Sequence, residues 1–210
     1  GKPLIGKPRD NMLDDVFEIL ADPGFQKPGS ALMSFPAYVY VYPPDQEYEF
    51  REALPRLQKR LRRTNVGQNP LIENIYSALL THLEEKTLGG RPLLDRILEQ
   101  EDESPDKVDR QLRRHAQSDA FIERVASEFT RFTEEEGKLD RSYVFVHGWG
   151  AIHPYLRSST FLDLMEPHLR GYKLIVFYPG TYKDGKFRLF GRLASGQVYR
   201  ASCLNERIAS

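Results

Sequence analysis

Three short segments constrain this chain more than anything else in it. Ala37 to Tyr42, Tyr143 to His147 and Lys173 to Tyr178 are nearly continuous runs of aromatic, β-branched and aliphatic residues. In the first, Tyr38, Tyr40 and Tyr42 alternate with Ala37, Val39 and Val41, so neither face of a strand built from it suits water. Strands apolar on both faces belong inside a parallel sheet covered by helices on each side. The last two runs flank a helical stretch reaching about Leu169, with short links, which is the pattern of a right-handed parallel crossover. The expected fold is therefore α/β, with a mostly parallel central sheet.

The remaining elements follow from periodicity and punctuation. Leu13, Val16, Phe17 and Leu20 lie at helical spacing, closed by Asp22-Pro23-Gly24. After Pro43-Pro44, Phe50, Leu54, Leu57 and Leu61 predict a helix over 47–63, which Pro55 should kink unless it marks the first turn. A short strand is expected from Leu71 to Ile75, then a helix through Leu79 and Leu83 that Gly89-Gly90 ends. Residues 91–137 read as charged helical hairpins, broken at Ser104-Pro105, inserted into one α/β domain spanning 1–210. Asp184-Gly185 fits a type I′ hairpin turn, and Ser195-Gly196 a second turn before Val198 to Cys203, so an antiparallel hairpin should edge the sheet.

Composition bounds the partners. The 210 residues carry 30 Lys and Arg against 30 Asp and Glu, which argues against a protein that coats nucleic acid, a mode resting on many neutralised phosphates. The balance is uneven, however: Arg170, Lys173, Lys183, Lys186, Arg188, Arg192, Arg200 and Arg207 face only Asp184 and Glu206 in the last part of the chain. That basic end is open to an acidic protein partner or to DNA. Cys203 is alone, which leaves no intrachain disulfide and no thiolate zinc site. No apolar stretch approaches the roughly 18 residues of a membrane span, and the expected location is the cytoplasm.

The motif census finds no catalytic apparatus. No Gly-Lys pair is followed by Ser or Thr, so there is no P-loop, and the first strand runs into Pro43-Pro44, which lack the N–H groups a phosphate cradle needs. Neither G-x-G-x-x-G nor G-x-S-x-G occurs, and no His, Asp or Glu spacing suits a metal. His147-Gly148-Trp149-Gly150 follows a strand, as an oxyanion-hole segment would, yet no nucleophile accompanies it. A tight turn permitted by Gly148 and Gly150 with Trp149 packed beneath it accounts for the same residues. No metal or cofactor is expected.

Tyr143-Val-Phe-Val-His-Gly-Trp-Gly150, Pro154-Tyr-Leu-Arg157-Ser158, Phe177-Tyr-Pro-Gly180-Thr-Tyr182, Leu189-Phe-Gly-Arg192 and Tyr199-Arg-Ala201 together resemble the BrxB family, small proteins of BREX bacteriophage-exclusion systems. Tyr38 to Pro44 and the Phe50 to Leu57 helix resemble its N-terminal part, so the likeness spans most of the chain. The resemblance implies a degenerate P-loop or Rossmann-like fold. It implies a non-catalytic adaptor of a phage-defence complex, docking to the PglZ-type protein, with the large ATPase and the DNA methyltransferase as further partners. A nucleic-acid-binding module using the basic end and a hydrolase at the His-Gly-Trp-Gly turn stand as alternatives. The family offers no catalytic residue. Its recurrent positions here include Gly148, Pro179, Gly180 and Gly191, read as turn or close-approach residues, with Pro179-Gly180 suited to a type II turn. Arg157, Arg192 and Arg200, with His147 and Trp149, form the expected interaction or anion-binding set, because guanidinium groups suit bidentate recognition of carboxylate or phosphate.

Overall fold

The computed structural model describes residues 12–26, 36–64, 68–135, 142–183, 186–189, 192–193 and 201–209. The expected runs form the inner strands of a parallel sheet: β1 (Ala37–Tyr42), β5 (Tyr143–His147) and β6 (Lys173–Pro179). The outer strands are β2 (Leu71–Asn74) on one side and β10 (Ser202–Cys203) on the other, giving the order β10-β1-β6-β5-β2. β1 and β6 pair along the whole of β1, from Ala37 opposite Leu174 to Tyr42 opposite Pro179. Because every pairing in this sheet is parallel, each return of the chain must cross a face. Helices therefore cover both.

The two faces are built differently. One carries Ala37, Val39, Val41, Val144, Val146, Leu174 and Val176, small or branched residues under a broad helical layer. That layer comprises α4 (Ile75–Glu85), α5 (Leu93–Leu98), α6 (Pro105–Ala116), α7 (Asp119–Glu135), α8 (Trp149–Ile152) and α9 (Ser158–Met165). The other face carries Tyr42, Tyr143, Phe145, Ile175 and Phe177 beneath α1 (Asp14–Ala21), α3 (Glu47–Arg62) and α10 (Leu204–Ala209). Bulky rings suit this thinner layer because each fills more volume. Phe50 of α3 stacks on Tyr42 with ring centroids 4.0 Å apart and planes at 10°, and leans on Phe177 at 5.4 Å. Such pairs add about 0.5–1.5 kcal/mol to what burial alone contributes.

Local structure departs from the periodic reading where glycine and proline have another use. The helix α4 stops at Glu85, before Gly89-Gly90. That pair instead turns a two-stranded hairpin of β3 (Thr87–Leu88) and β4 (Arg91–Pro92), with φ of 62° and 78°, as a two-residue type I′ connection requires. Pro55 lies inside α3, on its exposed side, where the helical hydrogen bond it removes costs least because water can substitute. A short α2 (Pro23–Gln26) follows α1. The expected C-terminal hairpin exists as β7 (Thr181–Lys183), β8 (Lys186–Leu189) and β9 (Arg192–Leu193), antiparallel, and it forms a sheet of its own. The turn positions Asp184 and Gly185, and the second turn at Ser195-Gly196, lie outside the described residues.

The outer edge of β1 is closed by two devices in succession. Tyr38 and Val39 pair with Ser202 and Cys203 of β10. Where β10 ends, the Asn205 side chain takes over: its Oδ1 accepts from Val41 N–H at 2.8 Å and its Nδ2 donates to Val41 carbonyl at 2.9 Å. A carboxamide has the donor and acceptor of a peptide group, so it substitutes for one more strand residue. Asn205→Ala should lower unfolding stability by about 1–3 kcal/mol, the cost of leaving buried main-chain groups unpaired. Asn205→Asp, which cannot donate, should lose at least as much. Urea denaturation of the two variants checks this, and an unchanged midpoint would contradict the pairing role.

Candidate functional site

In a parallel sheet with helices on both faces, the carboxyl ends of the strands frame the crevice where ligands usually bind. Here the loop after β1 is Pro43 followed by a 3-10 turn, Pro44–Gln46, that leads directly into α3. Pro43 and Pro44 present no N–H, and the first turn of α3 holds Glu47 and Glu49. Those carboxylates occupy the positive end of the helix dipole that an anionic ligand would otherwise use. Tyr42 donates its hydroxyl hydrogen to Glu47, and Arg51 donates to the other Glu47 oxygen at 3.0 Å. Burial and the Glu47 carboxylate both raise the Tyr42 pKa well above its ordinary value, so the phenol stays protonated. The network closes on itself.

His147 ends β5 beside this network. Its ring meets Phe50 edge-on at 6.1 Å, and its Nδ1 is buried without a hydrogen-bond partner among the described residues. Burial lowers its pKa, with Glu47 pulling the other way and Arg51 reinforcing the fall. A neutral imidazole with an unengaged nitrogen lacks the orienting partner of a catalytic triad. Cys203, the sole cysteine, lies on β10 at the opposite edge, and burial raises its thiol pKa, so it is no thiolate nucleophile.

Gly148 explains why the glycine is needed. It caps α8 with φ of 90°, and a Cβ placed on it would lie 2.4 Å from Asn74 Oδ1. That oxygen is already committed, accepting from Tyr76 N–H at 3.0 Å and Ser77 N–H at 3.1 Å as the cap of α4. Two helix starts thus meet at adjacent strand ends, because Asn74 pairs in register with His147. Trp149 is buried against Phe161 at 5.2 Å, with its indole N–H donating to Val146 carbonyl at 3.2 Å. Gly150 lies within α8, exposed, rather than in a turn.

The other expected positions separate into three situations. Gly180 is a single residue between β6 and β7, with its N–H donating to Tyr42 carbonyl at 2.9 Å. The chain therefore continues the β1 ladder at Pro179-Gly180, which leaves no room for the type II turn expected there. Arg157 precedes α9, is exposed, and makes no ion pair among the described residues. The backbone of Arg192 lies in β9 opposite Leu189, whereas Gly191 and Arg200 fall outside the described residues. His147, Gly148, Trp149, Pro179 and Gly180 thus converge on one end of the sheet. Among the described residues no cluster of His, Cys, Asp and Glu could hold a metal, and no helix is long and apolar enough to cross a membrane.

Sequence reasoning missed Glu73, one residue before the Asn74 cap. Its carboxyl is pushed up to about 7, first by burial and then by Glu128, against the pull of Arg124. Arg124 is shared between Glu85 at 2.7 Å and Glu128 at 3.5 Å. Nothing local marks Glu73, because the charges that act on it, Glu128 and Arg124, come from α7.

Comparison with known proteins places the chain among BREX proteins. The family model described as BREX protein BrxB matches residues 71–204. A curated relative, the BREX protein BrxB of Bacillus cereus (strain H3081.97), is 24% identical over 190 residues, covering 90% of this chain and 93% of the relative. No solved structure matches.

Gly148→Ala should destabilise the fold by about 1–3 kcal/mol through its backbone strain, with the clash at Asn74 adding to the loss. Urea unfolding measures it, and a shift below half a kilocalorie per mole would sink the close-approach argument. The raised Glu73 pKa has a definite sign. The folded form keeps its proton to higher pH than the unfolded form, so this group's contribution falls as pH rises from about 4.5 to about 7. Glu73→Gln should flatten that part of the stability profile and raise stability at pH 8. Thermal melts across the range test it.

Proposed function

This chain belongs to the BrxB family, and from that premise we propose that it is a non-catalytic adaptor of a BREX-type phage-defence complex, holding the PglZ-type protein through its surface. The family match over residues 71–204 is the observation that carries the reading. The carboxyl end of the sheet supports it from the chemical side. Proline and paired carboxylate occupy the place of a phosphate cradle, and His147 Nδ1 has no partner among the described residues to orient it. A crevice filled in this way suits holding two helix starts together better than turning over a substrate.

Docking is assigned to the exposed arginine before α9, together with Arg192 and Arg200 of the last segment. Arg157 offers a guanidinium with no intramolecular ion pair among the described residues, and such groups are frequent anchors where a carboxylate on a partner is buried. The large ATPase and the DNA methyltransferase are reached through the same assembly.

Affinity purification of the tagged chain from cells expressing the neighbouring defence genes tests the reading. The PglZ-type protein should be retained at moderate salt, and retention of none of the defence proteins would overturn it. Arg157→Glu should cut that retention about tenfold, on the order of one lost interfacial anchor, with an unchanged melting temperature. If DNA is retained in place of the proteins, with affinity falling steeply as salt rises, the chain is a nucleic-acid-binding module instead.

A further inference from the structure

A cleft of about 490 Å³ opens between the β3–β4 hairpin, α5 and α6, away from the carboxyl end of the sheet, and its wall includes Arg91, Arg96 and Arg114. Among the described residues of that wall the one carboxylate is Glu99, held at both oxygens by Arg91. Arg96 and Arg114 make no ion pair among the described residues. Arg96 is set in place by the hairpin: a Cβ at Gly89 would lie 2.6 Å from its Nη2, so the bare glycine gives the guanidinium its room. Its Nε is buried with no hydrogen-bond partner among the described residues. This half-buried guanidinium has no ion-pair partner among the described residues, and a carboxylate against the part of the group that lines the cleft supplies one.

The rest of the wall selects among anions. Gln111 donates to Gln100 at 3.2 Å, which leaves one amide NH2 and one amide carbonyl for a ligand. A peptide backbone matches both, whereas the fully ionised phosphate of a nucleotide only accepts. Leu88 is 57% exposed at the rim. Among the described residues the wall contains no aromatic ring, so a nucleobase finds none of them to stack on. We infer that this cleft binds a short acidic peptide segment of a partner protein, an Asp or Glu carboxylate meeting Arg96 and Arg114 while a flanking aliphatic side chain covers Leu88. The site is separate from Arg157 and stands whether or not docking occurs there.

The test uses the full chain and a peptide probe, Gly-Leu-Asp-Glu-Leu-Gly with blocked ends, against its amide twin carrying Asn and Gln. Binding is followed by NMR of the arginine Nε–H resonances and by competition with inorganic phosphate and adenosine monophosphate. The acidic peptide should shift the Arg96 resonance at concentrations where the twin does not. Arg114→Gln, an exposed change that leaves the fold intact, should weaken binding about tenfold, as loss of one charge-assisted contact does, and Arg96→Gln should abolish it. Arg157→Glu should leave it unchanged, which separates failure of this site from failure of the adaptor surface. The inference is overturned if millimolar acidic peptide leaves Arg96 unmoved, if both peptides bind equally, if Arg114→Gln has no effect, or if phosphate or the nucleotide binds more tightly than the peptide.

Discussion

The hydrogen bonds between β1 and β6 are closed to water above and below, and the rest of the molecule exists to keep them so. Six residues of β1 pair in parallel with β6, and each main-chain group there would cost about 1–3 kcal/mol if left unpaired. Parallel pairing forbids a hairpin between them. The chain must leave the sheet and return, and each departure supplies a helix that covers one face. The contrast between the aromatic face under α1 and α3 and the Ala/Val face under α4 to α9 follows from how much helix each departure brings.

The same constraint decides what happens at the carboxyl end of the strands. Tyr42, His147 and Pro179 finish strands whose interiors are buried, and the residues after them must turn, cap and fill within a few positions. Asn74 and Gly148 share that task across adjacent strands, and Glu47 ties Tyr42 to Arg51. Side chains that fix two helix starts and an ion pair are committed to holding the fold together at this end of the sheet.

The sheet was legible because burial on both faces leaves an unmistakable pattern: Tyr38, Tyr40 and Tyr42 against Ala37, Val39 and Val41 place β1 at once. Membership of the α/β class followed, and the BrxB likeness was carried by the residues around His147 and Pro179. Other features do not write themselves into a local window. Gly89-Gly90 reads as a helix stop because α-helices often end at glycine, while its hairpin depends on what packs beneath it. Glu73 gains its charged environment from α7, more than fifty positions later in the chain. Arg91, Arg96 and Arg114 come together from β4, α5 and α6, and their spacing matches no single period.

Asn205 gives the fold an unusual order of events. β1 is the first strand of the sheet, yet the groups that close its outer edge, Ser202, Cys203 and the Asn205 amide, come more than 160 positions later. A ribosome synthesising this chain releases β1 and β5 well before that closure arrives. During that interval the edge of β1 is an open template for any extended strand. The edge of β1 thus stays open to misassociation until the segment carrying Ser202, Cys203 and Asn205 docks against it.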